Sequence, residues 1–146
     1  MPRKKSFWKR HSLSLAAGAV LALWIALYTR WDEHTHWGSF FGNAIADWTG
    51  LLIMVLATKY LYERGSKESK KPPHPIVAWI PDAIREHSLS IFIVASGVVW
   101  IIAFARMDAN GKWGQVVGNI VSEWTQILGI VILTKYCIES GSKGGG

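Results

Sequence analysis

Four apolar runs dominate this chain: residues 13–28, 40–61, 89–105 and 116–138. Each is close to the ~20 residues a helix needs to cross the hydrocarbon of a bilayer. A soluble four-helix bundle is the rival, and it requires a polar face along every helix. The first run has none: after Ser14 it reads LAAGAVLALWIAL, and over 91–105 Ser96 is the only hydroxyl. Helices apolar all round must turn some of that surface to lipid. The hydrophobic share of 50% and mean hydropathy of +0.19 agree with this placement. The first run does not read as a signal peptide. It lacks a small-residue cleavage site, and Arg30 and Trp31 follow it directly.

The net charge of +6 is distributed in a way that points to lipid and away from nucleic acid. Arg3, Lys4, Lys5, Lys9 and Arg10 precede the first run, and Lys59, Arg64, Lys67, Lys70 and Lys71 follow the second. Arg85 precedes the third, and Lys135 and Lys143 mark the end of the fourth. The short loops on the other side carry only Arg30, Arg106 and Lys112. The positive-inside rule then puts both termini and the long central linker in the cytoplasm. The expected location is a bacterial inner (plasma) membrane, crossed four times, with anionic headgroups as partners of the basic ends. Cys137 is the only cysteine, so no internal disulfide forms, and it reads as a small packed thiol.

The chain is one hairpin written twice. His11, Ser12, Leu13 and Ser14 recur 76 positions later as His87, Ser88, Leu89 and Ser90. At the same offset, without a gap, Trp24 falls on Trp100, Arg30 on Arg106 and Asp32 on Asp108. Trp37 and Gly38 fall on Trp113 and Gly114, and Gly42 and Asn43 on Gly118 and Asn119. Trp48 and Thr49 fall on Trp124 and Thr125; Thr58, Lys59 and Tyr60 fall on Thr134, Lys135 and Tyr136. Glu63 falls on Glu139, and Gly65, Ser66 and Lys67 on Gly141, Ser142 and Lys143. Two crossings per copy give both copies the same orientation, as parallel repeats about an axis along the membrane normal. Equivalent residues then lie at equal depth. The expected division is hairpin one over 1–67, with helices at 12–30 and 39–62, a cytoplasmic linker over 68–82, and hairpin two over 83–143, with helices at 88–106 and 115–138. Residues 144–146 are set aside as a glycine tail. Ser12 and Ser88 stand where helix N-caps belong, and the Trp-Gly pairs mark the outer turns. Within the proline-containing linker, residues 76–84 read as a short amphipathic segment lying on the interface.

Asp47 and Glu123 are costly where they stand. Both lie near the middle of a hydrocarbon crossing, where an acid costs about 2.5–3.5 kcal/mol. Asn43 and Asn119 sit four residues earlier, on the same helical face and one turn outward. Two carboxylates, two amides and the nearby Thr49 and Thr125 make an oxygen-rich cluster suited to a hard cation or to carboxyls sharing a proton. The flanking Trp48 and Trp124 belong to the same motif, and the indoles of Trp24 and Trp100 are expected to donate to the carboxylates. The bland alternative is interhelical glue, with carboxyl, amide and indole bonding across helices.

Lys59, Lys135, Tyr60 and Tyr136 read as snorkelling anchors at the cytoplasmic interface, and Thr58 and Thr134 as hydroxyls bonded back to their own helices. His11 and His87 share one depth and are placed to face each other across the axis, which makes bis-histidine haem ligation a remote option. His34 and His36 resemble a small metal clamp, but the second copy has Asn110 and Lys112 there, so no metal site is assigned and no cofactor is expected. Enzyme chemistry finds no support: there is no nucleophile paired with a base, no phosphate loop and no zinc pattern. The pairs Gly42 with Ala46 and Gly118 with Ser122 are small-residue steps suited to close helix contact.

The string YLYERGSKESK at 60–70 resembles the signature of an uncharacterised family of small bacterial four-helix membrane proteins, a domain of unknown function. The Ser-Leu-Ser starts at Ser12 to Ser14 and Ser88 to Ser90 match it. So do Asn43, Asp47, Trp48 and Thr58, and again Asn119, Glu123, Trp124 and Thr134. The outer loops here are shorter than that pattern. The resemblance implies the four-helix topology and points to the same acid-Asn pair; it implies no activity. The reading reached is an all-α polytopic membrane protein, both termini cytoplasmic, acting as an ion- or proton-conducting channel or transporter and assembling as a homo-oligomer, most simply a dimer. Its rivals are a structural or assembly subunit and, far behind, a haem-binding redox module.

Overall fold

The computed structural model describes residues 6–69, 74–137 and Ser140. Arg3, Lys4, Lys5, Lys70, Lys71, Pro72, Pro73, Glu139 and 141–146 lie outside the described residues. The described residues are helical, without strands: α1 (Phe7–Arg30), α2 (His36–Tyr60), a 3-10 turn (Pro75–Val77), the single turn α3 (Asp82–Arg85), α4 (Ser88–Arg106) and α5 (Lys112–Tyr136). Four of these, α1, α2, α4 and α5, are long and apolar enough to cross a membrane.

Their outer surfaces suit hydrocarbon. On α4, Ile91, Val94, Val98, Val99, Ile101 and Ile102 are all exposed, a contiguous apolar surface that water penalises and lipid does not. α1 packs on α2, α4 on α5, and α2 on α5. The α2–α5 pair is therefore the centre and α1 and α4 are its flanks. The buried cluster follows that seam: Tyr28, Phe41 and Ile45 from the first half, Leu89, Ile93, Ile120, Trp124, Ile127 and Val131 from the second.

Each hairpin turns on the same local chemistry. The Asp32 carboxylate accepts from the His34 amide at 2.9 Å, and Asp108 from the Asn110 amide at 3.0 Å. This Asx turn lets a short polar side chain substitute for a backbone partner. Gly38 and Gly114 then lie so close to the Asp32 and Asp108 carbonyls that a Cβ at either would overlap them. Thr35 caps α2 by accepting from the Gly38 amide at 3.1 Å. These turns start α2 and α5 at His36 and Lys112, each three residues before the expected boundary.

Gly42 and Gly118 have the same job in each hairpin: a Cβ at Gly42 would press on the Tyr28 ring, and one at Gly118 on the Phe104 ring. Their small size admits an aromatic side chain from the preceding helix, which differs from the bare helix-to-helix contact expected of them. Ring-on-backbone packing of this kind is what holds helices together where the hydrophobic effect is absent.

Two expectations are corrected. α1 begins at Phe7 with Ser6 as its N-cap, so Ser12 lies inside the helix and caps nothing. His87 stands at the N-cap position of α4 without a side-chain capping bond, and Ser88 is the first residue of the helix. The Ser88 hydroxyl accepts from the Tyr62 amide at 2.9 Å and donates to the Tyr62 carbonyl at 3.2 Å, tying the end of one hairpin to the start of the next. The short segment expected over 76–84 contains the end of the 3-10 turn and, after Pro81, α3.

Candidate functional site

Asp47 and Glu123 each stand twelfth of 25 residues, at the midpoints of α2 and α5. Asn43 and Asn119, one turn earlier, meet directly across the seam: the Asn119 amide nitrogen donates to the Asn43 carbonyl oxygen at 2.5 Å. These residues are 76 positions apart, so the contact joins matching positions of the two hairpins.

The acids and amides do not look into the bundle. Asn43, Asp47 and Asn119 are exposed and Glu123 is half-buried. With Ser122 and Gln126 they line one polar cleft of about 300 Å³ on the outer side of the α2–α5 pair. Gln126 escaped the sequence reading. Its counterpart 76 positions earlier is Gly50, so it breaks the repeat and carries no duplicated signal. The signal available was Gln126 itself, a second uncompensated amide in an otherwise apolar run.

That same difference separates the two acids. Glu123 lies over Gly50, where an added Cβ would overlap the glutamate's Cγ and press on Ile127. Asp47 has Gln126 as its counterpart neighbour, with no such hollow. The longer acid is folded onto the neighbouring helix, and the shorter one stays at the open surface.

Other predicted contributors are placed elsewhere. The Thr49 hydroxyl donates to the Ile45 carbonyl at 2.6 Å and Thr125 to the Ser122 carbonyl at 2.7 Å, and Thr125 faces the α4 groove beside Trp124. The indoles do not reach the carboxylates as expected. Trp24 packs on Phe40 and Phe41, and its Nε1 is buried without a hydrogen-bond partner. Trp100 sits edge-on to Trp124 with centroids 5.8 Å apart. Trp124 donates to the Ser96 hydroxyl at 2.8 Å and is buried, whereas Trp48 is half-buried. α4 permits this because Ser96 and Gly97 stand there, where α1 has Val20 and Leu21.

A second polar centre lies at the end where α2 and α5 finish. Glu63, only 3% exposed, brings Oε1 to His87 Nδ1 at 2.7 Å and Lys135 Nζ at 3.1 Å. Burial raises the Glu63 pKa, but hydrogen bonding from His87, Ser90 and Lys135, with the charge of His87, outweighs it and holds the carboxyl below its ordinary 4.5. The Ser90 hydroxyl is near enough to contribute there, yet it falls outside hydrogen-bonding geometry. Beyond Glu63 the chain turns at Gly65, whose φ of +83° is left-handed. The Ser66 hydroxyl then donates to the Val131 carbonyl at 2.7 Å and meets the Thr134 hydroxyl at 3.2 Å. Residues 63–69 are thus docked onto α4 and α5. Lys135 is held by this centre, where a solvent-facing anchor was expected; Tyr136 is exposed, and Lys59 lies over the Tyr60 ring at 5.3 Å, with Tyr60 edge-on to His74 at 5.2 Å.

His11 and His87 do not face each other as expected. His87 is taken up by Glu63, and within the first hairpin His11 Nδ1 lies 2.9 Å from Lys59 Nζ. Among the described residues no three His, Cys, Asp or Glu side chains converge as metal ligands, and His34 lies 3.9 Å from Glu33. No protein-family description, no curated protein and no solved structure matches the chain.

Proposed function

We propose that the chain crosses a membrane four times as two parallel hairpins, with both termini and the linker on the cytoplasmic side, and that a homodimer of it conducts ions or protons. One observation carries this reading: the cleft of Asn43, Asp47, Asn119, Ser122, Glu123 and Gln126 opens outward at the midpoints of the two central helices. On a lone chain it would face hydrocarbon, where each unpaired polar group costs several kcal/mol. Intramembrane acids are tolerated where they line water or meet a partner. A second copy set face to face by a twofold axis supplies both, since an isologous contact places two such clefts opposite each other. The acids would then ring a narrow hydrated path and favour cations.

A second reading has its own support. The Asn43–Asn119 bond satisfies two amides within one chain, as expected of interhelical glue in an assembly subunit. Flux in proteoliposomes under K⁺, Na⁺, H⁺ and Cl⁻ gradients separates the two. Wild-type cation or proton flux that falls at least tenfold, or changes selectivity, in a folded Asp47→Asn/Glu123→Gln variant is the expected result. No flux of any ion from well-folded protein leaves the acids as glue.

A further inference from the structure

A basic cleft of about 550 Å³ lies where α1 begins and α2 finishes, walled on its third side by the docked residues 67–69. That volume falls in the ~300–1,000 Å³ range of ordinary ligand sites. Arg10, Lys59 and Lys67 line it, against a single carboxylate, Glu68. Among the described residues none of these three cations is in an ion pair. Lys59 Nζ lies instead 2.9 Å from His11 Nδ1, a second base. An anion placed among such groups favours their charged forms. The hydroxyls of Thr58 and Ser69 donate to the Met54 and Leu61 carbonyls, so the cations are the partners left for it. The same end of the second hairpin has no such surplus: Glu86 stands 76 positions after Arg10, and Lys135 is taken up by Glu63.

The other half of the cleft is apolar. Leu13 and Val55 line it, and Leu13 is 63% exposed. Leu51, one turn deeper than Val55 on the same face of α2, is exposed as well. Phe7 and Trp8, just before Arg10, are also exposed, as aromatic side chains are at a membrane surface. A small soluble anion has use for the cations alone. A molecule with a phosphate at one end and hydrocarbon at the other uses both halves: charge-assisted bonds from arginine and lysine above, and apolar contact below. Basic pockets between membrane helices on the cytoplasmic side take anionic headgroups by this chemistry.

We propose that this cleft is a binding site for one anionic phospholipid, its phosphate held by Arg10, Lys59 and Lys67 and an acyl chain lying along Leu13, Val55 and Leu51. The site rests on the four-crossing reading, which puts this end of the helices at the cytoplasmic surface; it does not depend on whether the polar cleft conducts.

Native mass spectrometry of the purified full chain, released from micelles doped equally with phosphatidylglycerol and phosphatidylcholine, tests it. The expected result is one phosphatidylglycerol kept per chain, preferred about tenfold over phosphatidylcholine. Arg10→Gln/Lys59→Gln loses most of that preference. Lys9→Gln/Arg64→Gln, which removes as much charge from the same end but outside the cleft, keeps it. Equal loss in both pairs overturns the site in favour of diffuse attraction to headgroups. Displacement of the lipid from wild type by inorganic phosphate overturns it in favour of a soluble phosphate. Arg10 and Lys59 are exposed, so the test pair is expected to fold; should it not, Lys67→Gln takes its place, and an unchanged preference there overturns the assignment. A carbonate wash of membranes separates this failure from that of the topology. A chain that washes off sinks the four-crossing reading and the site together, whereas one that stays yet shows no lipid preference sinks the site alone.

Discussion

The two hairpins carry matching residues 76 positions apart, yet they treat those residues differently. Gly38 and Gly114, or Gly42 and Gly118, do the same job in both. Asp47 and Glu123 do not: one stands exposed beside Gln126, and the other folds over Gly50. Trp48 and Trp124 also part company, because only α4 offers a hydroxyl and a glycine beneath the indole. His11 and His87 part again, one meeting a lysine and the other a carboxylate. Turns and ring seats depend on backbone geometry within one hairpin, so they repeat. Polar placements depend on the neighbouring helix, where one substitution is enough to divide the pair.

The comparison is broken most severely at Glu63. Glu63→Ala strands two bases beside a buried surface and is expected to cost about 3 kcal/mol, whereas His11→Ala at the matching end of the first hairpin costs under about 1 kcal/mol. Unfolding in mixed micelles measures both. Equal losses would mean that the two ends are equally covered. Gly50→Ala comes next: the new methyl displaces Glu123 and costs about 2 kcal/mol, while Gln126→Ala stays within about 0.5 kcal/mol. In smaller measure, Trp124→Phe loses its bond to Ser96, worth about 1 kcal/mol, and Trp48→Phe falls short of that.

The smallest effect is a pH dependence. Glu63 is held below its ordinary 4.5 by His87 and Lys135, with the Arg64–Glu86 pair at 3.3 Å beside it. A lowered carboxyl pKa stabilises the fold above about pH 4.5, and that contribution is lost as pH falls through the lowered value. The difference in melting temperature between wild type and Glu63→Gln should therefore hold from pH 7 to 5 and narrow below pH 4. A gap that widened on acidification would mean the carboxyl is held above its ordinary value.

The four long helices were legible because apolar length is a local property of the chain. The shared level of Asn43 with Asp47, and of Asn119 with Glu123, was legible for the same reason, since four residues make one turn. Which way that face looks was not, because the choice belongs to the α2–α5 contact. Gln126 went unread because it departs from the repeat. The Glu63 centre went unread for the opposite reason: Glu63, Gly65, Ser66 and Thr134 were all visible as repeated residues, but their meeting needs a loop to fold back over a different hairpin. The indole donors were misplaced since spacing gives the depth of Trp24 and Trp100 and not their rotamers.

The glycine at position 50 bears on how such a chain can diversify. Were the hairpins separate, identical polypeptides meeting as a pair, the position facing each acid would have to be glycine twice or glutamine twice. Joined in one polypeptide, the matching position is glycine in the first hairpin and glutamine in the second. Within one polypeptide each half can mutate alone, so one acid can be sheltered while the matching one stays at the surface.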